Sequence, residues 1–397
     1  MNGGENPHLQ VTVLLAAAAY AFTSTFTVVF AYHLRRSGAD ALFIGAFVAV
    51  SLLPFLALST RIGDHVSRVG RLGLVSASGV LLFMLAQVVM AAVGPNARGA
   101  LLGLRALQGF GHLVAITPMF AYVSRSVPPA RRAAGFGKLS VAFQFGAAVG
   151  AACGARILSS EAGTFLLIGL AGAALSVPLL IPLSAEPSAA VTADRARAPR
   201  AVHRIVPWSL SVPFALAAAS FGVLAQFSPA WASTLSTRNE ATGAAALLPA
   251  ALFGSAAGRL LVGRLHLNPR FNLLTLATAA LAVPAVTAAG NALTVLALPA
   301  LGLVAGLGYG LAMPRLTSDA VQMGEEAEHG RIIAGMVALS EVGYRGSPLL
   351  LAALVQREGY ALGFAIAPGL MMIWLLAASG GAGKGGDAGA LKGKQAG

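Results

Sequence analysis

The sequence predicts an all-α integral membrane protein of twelve transmembrane helices, arranged as two pseudo-symmetric six-helix bundles. Three observations predict it. First, 57% of the residues are hydrophobic and only 10% are charged, against about 25% charged in a soluble domain. Second, the chain divides into twelve apolar stretches, each near the roughly 20 residues a helix needs to cross a bilayer. Third, residues of one half recur in the other at a nearly constant offset. Phe55 and Phe253, like Arg61 and Arg259, lie 198 positions apart. Gly109 and Gly306, Gly111 and Gly308, and Gly146 and Gly343 lie 197 apart.

The apolar stretches run over residues 10–34, 41–60, 72–93, 100–124, 135–158, 163–183, 207–233, 243–263, 272–289, 292–316, 331–355 and 360–379. The leader "MNGGENPHLQ" has no basic segment of the kind that opens a signal peptide, so the first stretch reads as a span. Between the sixth and seventh stretches, "SAEPSAAVTADRARAPRAVHR" is polar, rich in Pro and Ala, and basic toward its end. It reads as a cytoplasmic linker. The expected organisation is therefore an N-terminal bundle over 1–183, a linker over 184–206 and a C-terminal bundle over 207–380. The Gly-rich residues 381–397 read as a flexible cytoplasmic tail.

A net charge of +13 raises the question of nucleic acid as a partner. The positions of the charges answer it. With the N-terminus inside, 19 of the 27 Lys and Arg fall in inner loops and nearby helix ends, six fall outside, and Arg105 and Arg345 fall within spans. Arg259 counts among the inner group. That asymmetry places both termini in the cytoplasm and accounts for the charge without nucleic acid. Cys153 is the single cysteine, so no internal disulfide can form. The Ala-rich composition points to a high-GC bacterium, hence to an inner (cytoplasmic) membrane. H-E-x-x-H, a Walker phosphate loop, a Cys/His metal cluster and a pair of intramembrane aspartates are all missing from the sequence. No enzyme activity, metal or cofactor is expected. No loop is long enough for a nucleotide domain, so energy comes from an ion or solute gradient, or transport is passive.

Two charged sites stand out against this background. Arg105 lies in the fourth span, where a cation at bilayer depth costs about 2.5–3.5 kcal/mol on insertion scales. It either snorkels to the interface or faces a polar interior. Gln108 and His112 follow at spacings of three and four, which puts all three on one polar stripe. In the eleventh span, Glu341 and Arg345 are four apart and can pair on one helix face. Glu341 is the one acidic residue well inside a span. The pair either neutralises itself or makes Glu341 a proton carrier, because burial and Arg345 pull its proton affinity in opposite directions.

Softer candidates are Thr23, Ser24, Thr25 and Thr27 in the first span, Ser140 and Gln144 in the fifth, and Ser220, Gln226 and Trp231 in the seventh. Gln144 and Gln226 rank first among them, because a buried amide needs partners. Tyr20, Tyr309 and Tyr344 can stack on a ligand or simply pack. Gly146, Gly150 and Gly154 recur every four residues and present a smooth face for close helix packing.

Three local patterns resemble the major facilitator superfamily, and the likeness extends over nearly the whole chain. "GDHVSRVGR" after the second span is similar to the family's G-x-x-x-D-R-x-G-R loop motif through Gly63, Arg68, Gly70 and Arg71. Ser67 stands where the acid is expected, with Asp64 nearby as its stand-in. Arg105, Gln108, Gly109 and Gly111 match R-x-x-Q-G-x-G, seen in many proton-driven members. "GAAVGAACGA" over 146–155 resembles the antiporter motif G-P-x-x-G-G, with Ala151 and Ala155 departing from it. The resemblance implies the family's two-bundle fold and alternating access around a midplane site. It further implies a proton-coupled exporter, monomeric, of a drug-like compound or a secreted metabolite such as a siderophore. A proton-coupled importer of a small polar solute is the alternative, and a non-transporting sensor the third reading. The cations, amides and hydroxyls expected around the site suit an anionic or zwitterionic solute.

Overall fold

In hydrocarbon no water satisfies backbone polar groups, so a spanning chain meets its hydrogen-bonding demand within helices. The described residues are helical throughout, with no strand. The computed structural model describes residues 7–24, 26–127, 132–156, 162–184, 208–235, 238–261, 297–322 and 329–381.

The first predicted span is covered by α1 (Pro7–Ser24) and α2 (Phe26–Arg36), and the second by α3 (Ala41–Val50) and α4 (Leu53–Arg68). Single helices follow: α5 (Leu72–Val93), α6 (Arg98–Ser126), α7 (Arg132–Arg156), α8 (Ala162–Leu180), α9 (Trp208–Ala232), α10 (Arg238–Leu261) and α11 (Ala297–Gln322). The eleventh span is α12 (His329–Glu341) and α13 (Ser347–Glu358) joined by a π turn, and α14 (Tyr360–Gly381) is the last. Seven helical stretches among the described residues are long and apolar enough to cross a membrane. The predicted ninth span, most of the linker and nearly all of the tail lie outside the described residues. One expectation shifts: α4 continues to Arg68, so most of the motif starting at Gly63 is helical, and only Val69–Arg71 form the turn.

Prolines make the two interruptions. Pro54 has no N–H to offer the carbonyl of Val50, and Pro348 none for Tyr344. Accordingly α3 stops at Val50 and α4 starts at Leu53. The π turn over Val342–Gly346 precedes Pro348. Ser51 lies in the first break and donates its hydroxyl to the Val48 carbonyl at 2.7 Å.

A side chain of α5 ties into α1: buried Gln87 donates to the Thr23 carbonyl at 3.0 Å. Gln87→Ala should remove that bond at about 0.5–1.5 kcal/mol, read as a lowered Tm of the detergent-solubilised protein with unchanged helix content.

Large apolar side chains point outward, with Leu350 81%, Leu167 68% and Ile373 65% exposed. Lipid is as apolar as leucine, so the helices associate through close packing rather than hydrophobic burial. The packing repeats with the sequence. A Cβ on Gly146 of α7 would meet the backbone of Ala18 in α1, and one on Gly343 would meet the Ala215 carbonyl in α9. Both partners in the second contact lie 197 positions beyond those in the first. Gly109 likewise sits on Ser51, and Gly306 on Ala251. Gly150 and Gly154 are buried along the same α7.

Successive helices run up and down. The turns at residues 37–40, 94–97 and 359 share one face, opposite the start of α1, called the far face below. Gly94 and Gly359 end α5 and α13 there, at φ 75° and 87°, a conformation that strains any other L-residue. The two halves close against each other at that face. α2 packs on α9 and α3 on α13. Gly45 of α3 lies so near α13 that an added Cβ would come within 2.8 Å of the Pro348 carbonyl oxygen. One buried cluster spans this seam, from Phe30, Ile44 and Phe47 to Phe227, Val355 and Phe364. A second cluster lies wholly within residues 13–183.

Candidate functional site

Arg105 sits two turns into α6 from the far face and is 3% exposed. It faces inward rather than snorkelling. One Nη donates to the side-chain oxygen of Gln108, and the guanidinium lies 5.4 Å from the centre of the Phe47 ring. Gln108 is fully buried. The expected contact one turn apart is therefore present.

The third member of the stripe goes elsewhere. His112 Nδ1 shares a 2.6 Å hydrogen bond with the Tyr20 hydroxyl of α1, and the two rings stack at 5.7 Å. Phe55 and Phe83 complete the ring cluster around His112. Arg105 and Gln108 serve the seam between halves, while His112 serves the packing of α1 on α6.

Glu341 and Arg345 pair as their spacing predicts, through Arg345 Nε and Glu341 Oε2. Their side chains keep 18% and 10% exposure. The π turn does more than permit the pair. It swings Arg345 toward the other half, where Nη1 donates to Ser51 Oγ at 2.9 Å and the guanidinium lies 5.4 Å from the Phe55 ring centre. Arg105 and Arg345 thus flank the Ser51 break, one over Phe47 and the other over Phe55. The two arginines and Glu341 lie within electrostatic reach of each other. The turn is held in place by α9: Gly222 receives the Tyr344 backbone, and Ser347 donates to the Ala219 carbonyl at 3.1 Å.

Other predicted residues divide. Gln226 of α9 is buried and its Oε1 has no hydrogen-bond partner; Gln144 Oε1 on α7 is in the same condition. Ser220 bonds the Leu216 carbonyl, and Thr23 the Tyr20 carbonyl, so both hydroxyls are spent on their own helices. Trp231 packs on Phe364 at 5.9 Å, and Ser140 is partly buried on α7. Thr25 and the side chains of Ser24 and Thr27 lie outside the described residues, as do those of Asp64 and Arg68. Gly63 has open space around it, Gly70 occupies the α4–α5 turn, and Arg71 is exposed at the start of α5.

Arg259, in the last turn of α10, lies over the Tyr309 ring at 5.8 Å, while its counterpart Arg61 is exposed. Tyr309 stacks on Phe221 at 4.3 Å and reaches Ser340, the neighbour of Glu341. The offset of 197 pairs Tyr309 with His112, so each half stacks a ring of its fourth span on an aromatic of its first.

The fold and these contacts bring the same three motifs onto α4, α6 and α7. The sequence model of the Major Facilitator Superfamily matches residues 12–344. The chain belongs to the Major Facilitator Superfamily. Its fold agrees with solved members. It is similar to the nucleoside transporter NupG at TM-score 0.69 and 12% identity, covering 95% of this chain and 98% of that one. It is similar to the human organic anion transporter MFSD10 (TETRAN) at 0.64 and 15%, over 94% and 99%. A POT family transporter in complex with a thioalcohol-conjugated peptide gives 0.67 and 13%, over 94% and 96%. No match emerges among curated protein sequences. Membership makes this a multi-pass membrane transporter of the secondary type, in a family of transporters rather than enzymes.

Proposed function

We propose that this superfamily member is a proton-coupled secondary active transporter in which Glu341 carries the proton. Arg105, Gln108, Gln144, Gln226 and Arg345 line the solute's path, and His112 supports the wall behind it. One observation carries the reading: Arg345 joins Glu341 in one half to Ser51 in the other. A charge pair placed on the closing seam couples its protonation to the closure itself. The two-fold repetition of packing supports bundles over 1–183 and 207–380, hinged about 184–206 and rocking as units. The proposed setting is a bacterial inner membrane, with both termini cytoplasmic and a monomer as the working unit. In that orientation the far face is external, and the structure is closed to the outside.

The direction has two readings, each with its own support. The Arg105 motif supports export of a drug-like compound or secreted metabolite in exchange for protons. The alternative is proton-coupled import of a small polar solute, and the excess of cations over carboxylates at the seam suits an acid.

The test compares wild type, Arg105→Ala and Glu341→Gln at matched expression in an efflux-deficient bacterial host, against a chemically varied panel at several external pH values. Accumulation of a compound changed by wild type and lost in both variants is the expected result. Full activity with unchanged pH dependence in Glu341→Gln removes Glu341 as the carrier.

A further inference from the structure

The groups on the seam are out of balance. Arg105 and Arg345 face a single described carboxylate, that of Glu341. The remaining titratable groups within reach of Glu341 are Tyr20 on α1, Tyr309 on α11 and Tyr344 in the π turn, and His112 on α6 lies within reach of Arg105 and Arg345. Helix α9, packed alongside, has no charged residue. Two buried polar atoms of α6 find no partner, Arg105 Nε and Gln108 Nε2. Both are donors, and they belong to residues only 3% and 0% exposed. A buried donor left unmade costs free energy that an acceptor recovers, and a guanidinium with a free edge matches a carboxylate or phosphate.

We propose that the transported solute is an organic anion seated between Arg105 and Arg345, and that it moves in the same direction as the proton. The inference rests on Glu341 being the proton carrier. Its logic is competition for one guanidinium. Ionised Glu341 occupies Arg345 Nε, the edge that faces a carboxylate. Protonated Glu341 releases that edge, and the anion takes it. An anion already on Arg345 in turn leaves Glu341 without its cation and favours its protonation. The linkage is reciprocal by thermodynamic necessity. Proton and anion therefore bind together, which is the condition for co-transport and the opposite of exchange. An inward proton gradient then drives import, and the second direction above is the one that follows. Arg259, held over Tyr309 one helix away, adds to the positive field without joining the competition.

The experiment uses the full chain in liposomes loaded with a pH dye. The probes are matched sets on common scaffolds: benzoate, benzamide and benzylamine; succinate and succinamide; phenylphosphonate and benzyl alcohol. Acidification of the lumen beyond that of protein-free liposomes on adding an acid, with no such excess from its amide and amine, is the expected result. In wild type the apparent affinity for that acid should weaken about tenfold per unit rise in pH above the Glu341 midpoint, and Glu341→Gln should bind it with no such slope. Glu341→Asp, which keeps the carboxylate, should retain the slope and guards against a misfolded Gln variant. Alkalinisation, or a signal from an amine or amide, overturns the anion proposal while leaving proton coupling in place. Silence of every probe in wild type overturns both the proposal and the proton-coupled reading beneath it.

Discussion

Arg345→Ala should abolish transport and cost about 3–5 kcal/mol of stability, the usual loss when one partner of a buried pair is removed. Three contacts disappear together: the ion pair to Glu341, the bond to Ser51 and the stacking over Phe55. The larger part of the cost is the carboxylate left behind. Arg345→Ala combined with Glu341→Gln should therefore recover most of the lost Tm and none of the transport. Thermal unfolding of detergent-purified single and double variants measures the first, and proteoliposome flux the second. Equal Tm values for the single and double variants would show that Glu341 is not held by this pair.

The second large effect is expected at Gly45. Its hydrogen is all that separates α3 from the backbone of α13 at the far face. Gly45→Val inserts three carbons where an added Cβ already comes within 2.8 Å of the Pro348 carbonyl oxygen. Overpacking of this kind costs about 1–3 kcal/mol. Here the closed state bears that cost, so the equilibrium moves toward opening at the far face, by about tenfold for each 1.4 kcal/mol. The readout is the labelling rate of Ile44→Cys, in a Cys153→Ser background, by an impermeant maleimide. Ile44 is fully buried in the closed seam. A rate rise of about tenfold with Gly45→Val is expected, with turnover falling in parallel. Gly103→Ala is the control, because nothing lies within 4 Å of a Cβ at that position.

Hydropathy made most of the spans legible, since a run of apolar residues has few other uses at this length. Arg105 with Gln108, and Glu341 with Arg345, were legible because helical spacing alone brings such pairs together. The offset of 197 was legible from a handful of residues, and its physical meaning is the twin contacts of Gly146 on Ala18 and Gly343 on Ala215. The contact of Arg345 with Ser51 was not legible. It depends on a π turn in one half and a helix break in the other, each made by a proline whose effect falls four residues upstream. The bond of His112 to Tyr20 was not legible, because periodicity places a residue on a face but does not say which neighbour bonds it. The contact of Arg259 with the Tyr309 ring was not legible, because Tyr309 comes from another helix.

The two buried clusters are unequal, and this bears on how the protein is made. The cluster of residues 13–183 draws on nothing that follows it in the chain. The other cluster takes Phe30, Ile44 and Phe47 from the early part of the chain and joins them to residues 214–371. Synthesis delivers the N-terminal part first. It can consolidate in the bilayer while the remainder is still in the ribosome, and it then presents a finished apolar wall to the helices that emerge later. The buried residues of the later part, from Phe214 to Met371, form one continuous cluster with that wall. Assembly is then expected to follow chain order, the second half packing its own buried residues onto a wall already in place.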